Sequence, residues 1–575
     1  MRFLSVNADC FLIELSSLEQ TLALYAQLKA AHYAATQLKA SQSNAIHTKA
    51  AQFKIGQFEA GQINARHGAV IQELIPAAKT ILVYFDRLRT DLARLQSWIS
   101  GLDLDQHLQQ DAPVQIIPIC YQGEDLAQVA EQQGLSVAEV IRRHQHSTWQ
   151  VAFIGFAPGF AYLNSPDQPF VEVPRLAVPR KKIPVGSLGL AGSYSGIYPK
   201  DSPGGWQLIG STSEKMWDLE RINPALLLPG MQVHFEDVTH NPTTVAVSSN
   251  VDAVAQAHQT VETESSARQS TAQAVFKITA ASLQMLMQDQ GRLNQTALGV
   301  GTAGAMDQAA LHSANRIVGN AIGCAAIEIL NGGFAAQILQ PAIIAITGAH
   351  AEIRVQYATG QVATFEGYQA IALDQGDELQ IKRPSAGLRN YIALRGGFAL
   401  QAVLNSYSYD SLAQLGPAPL QLGDQLYPAQ AKSGSIQVDQ VPLRKLPQVG
   451  DCVVLDIVMG PRDDWFDAES LDRLCSQSWL VTQDSNRVGL RLQGAEPLTR
   501  RISHELESEG TCTGALQIPP SGQPVLFMND HPLTGGYPVI AAVAPHHWDL
   551  VAQIPAGCQI KFNQYTADIQ IENAS

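Results

Sequence analysis

The rhythm of hydrophobic and polar positions changes several times along the chain. The opening stretch "RFLSVNADCFLIEL" reads as one or two strands, and "SLEQTLALYAQLKAAHYAATQLKA" then takes up a helical period built on Ala, Leu and Gln. "GAVIQELIPAAKTILVYFD" returns to two strands, and "LARLQSWISGL" predicts a second helix. This order predicts a small α+β subdomain over residues 1–108. Inside it, a Gln- and Ala-rich stretch from about 40 to 66 has weak periodicity and reads as an insertion or helical extension.

From "VQIIPICY" onward the pattern shortens. Ser136 with Glu139 three residues later makes a capping box for a helix in "SVAEVIRRHQH". After it, "VAFIGFAPGFAYL", "GLAGSYSGIYP", "WQLIGST" and "MQVHFE" are apolar runs punctuated by Pro and Gly. Strands at such close spacing predict a closed or nearly closed β-barrel over 109–240. Residues 241–272 are small and polar and read as a linker. The remainder is again strands and turns with one clear helix, "DQAALHSANRIVG", and divides near 445 into subdomains over 273–446 and 447–575.

One device occurs twice. "KDSPGGWQLIGST" (200–212) and "DHPLTGGYPVIAAV" (530–543) each set two glycines before an aromatic residue and an apolar run. Downstream, "LLPGMQVHFE" and "QIPAGCQIKFN" each supply Pro, Gly and a short strand reaching Phe235 or Phe562. Repeated order at repeated spacing predicts two related barrels. The fold class is therefore mainly β with α+β: duplicated β-barrels behind a small N-terminal α+β subdomain.

Composition narrows the class further. At 575 residues the chain is too long for one core and predicts three or four domains. Hydrophobic residues at 46% fill such cores, and charged residues at 16% exclude a mostly disordered chain. A net charge of −14 argues against a general nucleic-acid surface. The local basic patch of Arg175 with Arg180, Lys181 and Lys182 reads as a solvated loop. Seven scattered cysteines suggest neither a disulfide framework nor a metal site. No signal peptide or membrane-length run is visible, so the expected location is cytoplasmic.

Several residues are candidates for chemistry. Glycine pairs make tight turns by tolerating positive φ, or they leave bare amides facing a pocket; Gly204, Gly205, Gly535 and Gly536 admit both readings. Around them Tyr198, Ser202, Trp206, Thr534 and Tyr537 would complete a binding wall. In "GFAPGFAYL", Pro158 and Gly159 make a turn while Phe156, Phe160 and Tyr162 supply aromatic faces. Asp307 opens the helix that bears Asn315 and reads as an N-cap or as a catalytic acid. Arg395, beside two glycines in "RGGF", reads as an oxyanion clamp. His144, Asp530 and His531 stand near glycine-rich loops as acid–base candidates, each with a structural alternative. His546 and His547, with His531, lack the spacing of a known zinc site, and no metal centre is expected. The chain has no "GxxxxGK[ST]" loop, no dinucleotide fingerprint and no "GxSxG" elbow.

"FIGFAPGFAYL", "VPRLAVPRKKIPVGSLGLAG" and "GIYPKDSPGGWQLIGST" closely resemble the allophanate-hydrolase subunit 1 family, associated with the B subunit of bacterial 5-oxoprolinase. "GTAGAMDQAALHSANRIVGN", "ITGAHAE", "SNRVGLRL" and "GALQIPPSGQPVLFMNDHPLTGGYPVI" closely resemble the subunit 2 family, the C subunit of 5-oxoprolinase. The resemblance covers nearly the whole chain and implies a natural fusion of B and C with cyclophilin-like barrels. It also implies ATP-dependent opening of 5-oxo-L-proline to L-glutamate, with ATP and Mg shared with a separate A-type subunit. On that reading Arg395, Arg487 and the glycine amides would hold substrate, and Asp307, His144, Asp530 or His531 would move protons. A homo-oligomer is left open. Where the family usually carries Gly-Ser-Arg-Ser-Thr, this chain has "NSYSYD", with Tyr407 at the arginine's place. Two alternatives remain: a carboxyltransferase served by a separate biotin carrier, because this chain has no biotinylation tag, and a non-enzymatic histidine-kinase inhibitor.

Overall fold

A computed structural model of the chain describes residues 1–42, 68–104, 113–239 and 273–565. The Gln- and Ala-rich stretch beyond residue 42 and the 241–272 linker lie outside the described residues. The N-terminal sheet is antiparallel, in the order Arg2–Asn7, Cys10–Glu14, Thr80–Phe85, Ile71–Pro76. Its strands alternate between two apolar faces. Phe11, Ile13, Ile81 and Val83 pack under helices Leu18–Gln42 and Leu92–Ser100. Leu4, Val6, Cys10, Leu12 and Leu82 point the other way and share a core with Cys512, Phe527 and Val539, more than 400 residues on. Asp91 starts the second helix by accepting the Arg94 amide at 2.8 Å.

The two barrels share one topology. In chain order, the first is built from Val114–Ile119, Trp149–Ile154, Ala161–Asn164, Ser187–Ala191, Tyr194–Ile197, Gln207–Ser211 and Gln232–Asp237. The second uses Cys452–Met459, Trp479–Val481, Gly489–Gln493, Ala515–Gln517, Val525–Phe527, Val539–Val543 and Gln559–Gln564. Around each ring the strands follow 1-6-4-5-3-2-7, with strand 7 parallel to strand 1. The second ring is fully closed, whereas the first closes through a bridge between Cys120 and Ser211, with N–H···O distances of 2.8 and 3.0 Å. Each barrel carries a helix between strands 1 and 2 that ends just before a buried tryptophan, Val137–His146 before Trp149 and Ala468–Ser476 before Trp479. Apolar periodicity did not reveal Ala468–Ser476 or the short Leu126–Gln133, because the first has three charged residues in nine and the second three glutamines and a glutamate in eight.

Between the barrels, residues 276–426 form a six-stranded and a five-stranded sheet. The helix Gln308–Val318 packs on the five-stranded one through Ala310, Leu311, Ala314 and Ile317. It starts at Asp307, whose Oδ1 accepts the Ala310 amide at 2.9 Å, and stops at Gly319 with φ +74°. Among the described residues no helix is long and apolar enough to cross a membrane.

Candidate functional site

The glycine pairs occupy equivalent ribbons beside the two barrels. Ser202–Gly204 pairs with Arg180–Ile183, and Thr534–Gly535 pairs with Glu509–Gly510. Neither pair adopts positive φ, which corrects the turn-forming reason for glycine there. Close approach is the cause instead. A Cβ on Gly204 would lie 2.5 Å from the Tyr198 hydroxyl, and one on Gly535 would lie 2.5 Å from Nε2 of Gln517. Gly205 and Gly536 are half-buried and less crowded, nearest Leu176 O at 3.6 Å and Leu506 O at 3.3 Å.

Positive φ belongs to the aromatic loop, at Phe156 (+66°) and Gly159 (+73°). This loop meets the second glycine device directly: the Phe156 amide donates to Thr534 Oγ1 at 3.3 Å, and Gly155 leaves no room for a Cβ against the same hydroxyl. The two halves of the chain are therefore joined where their motifs meet.

Next to this seam lies a cleft of about 840 Å³. Its walls include Tyr162, Tyr194 and Trp206 from the first barrel, Ser16–Glu19 and Lys79 from the N-terminal subdomain, and Glu505–Ser508 from the second barrel. Tyr162 stacks on Phe153 at 4.3 Å and meets Trp206 edge-on at 5.4 Å. Phe160 packs against Tyr162, Tyr198 and Trp206, and Phe156 packs against Phe160. Such edge and offset contacts make a rigid apolar wall. Of the residues singled out from sequence, Tyr162 and Trp206 reach the cleft, while Phe156, Phe160, Tyr198, Ser202 and Gly204 stand behind or beside it. Tyr537 is exposed, with Arg500 over its ring at 5.5 Å.

The acid–base candidates lie elsewhere. Asp530 is fully buried, and Arg487 grips it through Nε and Nη2, each at 2.9 Å. Ser411 adds two hydrogen bonds to Asp530 Oδ2, at 2.9 Å from its amide and 2.6 Å from its hydroxyl. Arg487 also bonds Glu328 and Gly304 O, so its donors are spent inside the protein. Burial works against the Arg487 charge, but Asp530 and Glu328 outweigh it and hold its pKa above the usual arginine range. Burial, with repulsion from Asp549, pushes Asp307 up to about 7; its Oδ2 accepts Gln553 Nε2 at 2.7 Å. Asp410, on the "NSYSYD" loop, is raised to about 6 by burial and Asp530. In that loop Ser406, the Tyr407 amide and Ser408 all donate to Asp289, and the Tyr407 side chain is exposed.

His144 is wholly buried, with Nε2 2.9 Å from Ser195 Oγ and Nδ1 2.8 Å from Tyr121 Oη. The contacts mimic a nucleophile–base–orienter chain, yet Ser195 is 0% exposed and no substrate can reach it. Burial lowers the His144 pKa to about 3, so the ring is neutral. His531 stacks on Phe527 and is likewise lowered by burial. His546 and His547 cluster with Asp456 rather than with His531. The Asp456 amide donates to His547 Nδ1 at 2.9 Å, and His546 Nε2 lies 3.0 Å from Asp456 Oδ2. Arg395 donates to Val318 O at 2.7 Å at the end of its helix, and Asn315 holds Ile322 O and Cys324 O. Sequence reasoning missed Lys79, Tyr194 and the 505–508 loop; only Tyr194, inside "GLAGSYSG", carried a local signal.

Two family models match the chain: carboxyltransferase domain, subdomains C and D, over residues 3–227, and subdomains A and B over residues 298–564. Over 300 residues the chain is 34% identical to the 5-oxoprolinase C subunit of Escherichia coli (strain K12), covering 50% of this chain and 91% of that protein. Over 173 residues it is 40% identical to the 5-oxoprolinase B subunit of Escherichia coli O157:H7, covering 29% of this chain and 77% of that protein. The crystal structure of TTHA0988 matches with a TM-score of 0.74 at 26% identity, covering 96% of this chain and 99% of that one. With both types of 5-oxoprolinase component matched and both family models laid end to end, the chain belongs to the carboxyltransferase-domain family that includes the B and C components of 5-oxoprolinase, as a fusion of the two.

Proposed function

We propose that this chain is the B/C component of an ATP-dependent 5-oxoprolinase, opening 5-oxo-L-proline to L-glutamate together with a separate A-type subunit. The carrying observation is a cleft walled by both halves, with Tyr162 and Trp206 from the B-like barrel facing Glu505–Ser508 of the C-like barrel. A lactam is a poor electrophile, and phosphorylation of its oxygen would activate it toward water. The cleft does not fit a triphosphate: its cations are Lys79 and Arg175, and Lys79 is already paired with Glu507 at 3.1 Å. ATP and its Mg²⁺ are accordingly assigned to the partner's side of the reaction. The chain's own part is to hold the ring against Tyr162 and Trp206, shield it from water and orient its amide.

A second reading, carboxyl transfer to an amide from a separate biotin carrier, draws on the carboxyltransferase description of both family models. Mixing the purified chain with the A-type subunit, ATP, Mg²⁺ and 5-oxo-L-proline separates the two. Glutamate and ADP formed only in the complete mixture support the hydrolase. ADP release that requires bicarbonate and a biotinylated carrier, without glutamate, supports the carboxyltransferase instead.

A further inference from the structure

Arg487 is buried and committed to protein oxygens, and Arg395, bonded to Val318 O and Gly434 O, does not line the cleft. Arg175, read from sequence as part of a solvated basic loop, is exposed as that reading expects, with 44% of its side-chain surface open, and it also borders the cleft. Its neighbours in that patch are neutralised locally: Arg180 by Asp125 at 2.7 Å and Lys182 by Asp201 at 2.7 Å. Arg175 instead lines the cleft, and its guanidinium makes no hydrogen bond among the described residues. Its ionic contact is Glu505 Oε2 at 4.0 Å, the outer limit for an ion pair, from a side chain that is 81% exposed.

The main chain on either side of Arg175 is nevertheless held. The adjacent Leu176 amide donates to Gly205 O at 2.7 Å, and Val173 and Gly192 exchange amide bonds at 3.0 and 2.7 Å. This ties the arginine to the first glycine device from behind. Burial raises the Tyr162 and Tyr198 phenols, and the Arg175 charge pulls both the other way, so the cation sits close to the aromatic wall. Ser16–Glu19 place the N-terminus of helix Leu18–Gln42 in the same cleft, with the Gln20 amide capped by Ser17 Oγ at 3.4 Å and Glu19 in the first turn. Lys79 does not compete for this task, because Glu507 already holds it.

We propose that Arg175 is the carboxylate-binding residue of this cleft, and that Glu505 occupies its place until a small carboxylate carrying an amide or lactam displaces it. The planar guanidinium offers two parallel N–H groups matched to a carboxylate, while Tyr162 and Trp206 face the flat amide ring. The lactam part of this assignment rests on the 5-oxoprolinase reading; the carboxylate part does not.

Calorimetric titration of the full chain with three ligands tests the two parts separately. They are 5-oxo-L-proline, 2-pyrrolidinone (the lactam without its carboxylate) and cyclopentanecarboxylate (the carboxylate without a lactam). Arg175→Met is expected to weaken 5-oxo-L-proline by about tenfold or more, with Arg175→Lys intermediate and 2-pyrrolidinone unaffected. Glu505→Gln, which removes the competing charge, is expected to tighten 5-oxo-L-proline by about two- to fivefold. Thermal melts of each variant check that the fold is intact. Equal, Arg175-dependent binding of cyclopentanecarboxylate would keep the carboxylate site and defeat the lactam assignment. Binding of 5-oxo-L-proline by Arg175→Met at wild-type strength, or no binding of either carboxylate by the wild type, would overturn the proposal.

Discussion

Trp149 and Trp479 hold the same station in the two barrels. Each donates its indole N–H to the main-chain oxygen five residues earlier, 2.8 Å to His144 and 2.9 Å to Leu474. Histidine in one barrel thus stands where leucine stands in the other, and both are wholly buried. His144→Leu would leave the buried Tyr121 and Ser195 hydroxyls without their partner. The expected loss is about 1–3 kcal/mol for each hydroxyl left unpaired, measured by denaturant unfolding. Turnover per folded molecule should stay unchanged, since no ligand reaches the ring.

His144 and Asp307 should tilt the stability–pH profile in opposite directions. The folded pKa of His144 falls from 6.5 to about 3, so its contribution is present above 6.5 and declines as pH drops toward 3. The folded pKa of Asp307 rises from 3.8 to about 7, so its contribution is full below 3.8 and is lost as pH climbs through 7. His144→Leu should flatten the acid-side loss, whereas Asp307→Asn should steepen it. Unfolding free energies at several pH values between 3 and 8 check both signs, each relative to wild type at the same pH.

Arg462 joins the N-terminal sheet to the second barrel, bonding Glu509 through two nitrogens and Glu14 at 2.6 Å. Arg462→Met would strand the Glu509 carboxylate, which is 6% exposed. Removing one member of such a buried pair costs about 3–5 kcal/mol, so a large fall in midpoint is expected on chemical unfolding. Lys79→Met, which breaks an exposed pair with Glu507, should change stability by less than about 1 kcal/mol.

The two glycines of the first device should respond differently to alanine. At Gly204 the new methyl meets Tyr198 and Ile183 within 2.9 Å, and a loss of about 1–3 kcal/mol is expected. At Gly205 nothing lies closer than 3.6 Å, and stability should hold within about 0.5 kcal/mol. Paired thermal melts decide this; equal effects would mean that crowding is not why glycine is needed at 204.

The barrels were legible because their strands are short, apolar and punctuated by Gly and Pro, and because the sequence around Trp206 and Tyr537 repeats its own order. Their shared ring order could not be read, since pairing is set by contacts far apart in sequence. Site assignments fared according to locality. Tyr162 and Trp206 sit in dense aromatic motifs and reach the cleft. Arg487 and Asp530 also sit near glycines, yet they neutralise each other in the interior, which no local pattern discloses. The exposure of Arg175 was legible from its own loop, but its place beside Glu505, 330 residues downstream, was not.

The outer face of the N-terminal sheet finds its cover only in the last barrel, where Leu4, Val6 and Leu12 meet Phe527, Val539 and Ala542, and Asn7 bonds Val543 O at 3.0 Å. During synthesis, that oily surface emerges first and must wait for more than 500 further residues before its mate exists. Joining B-like and C-like halves in one polypeptide turns this late encounter into an intramolecular one, so its success no longer depends on how much of each half the cell makes.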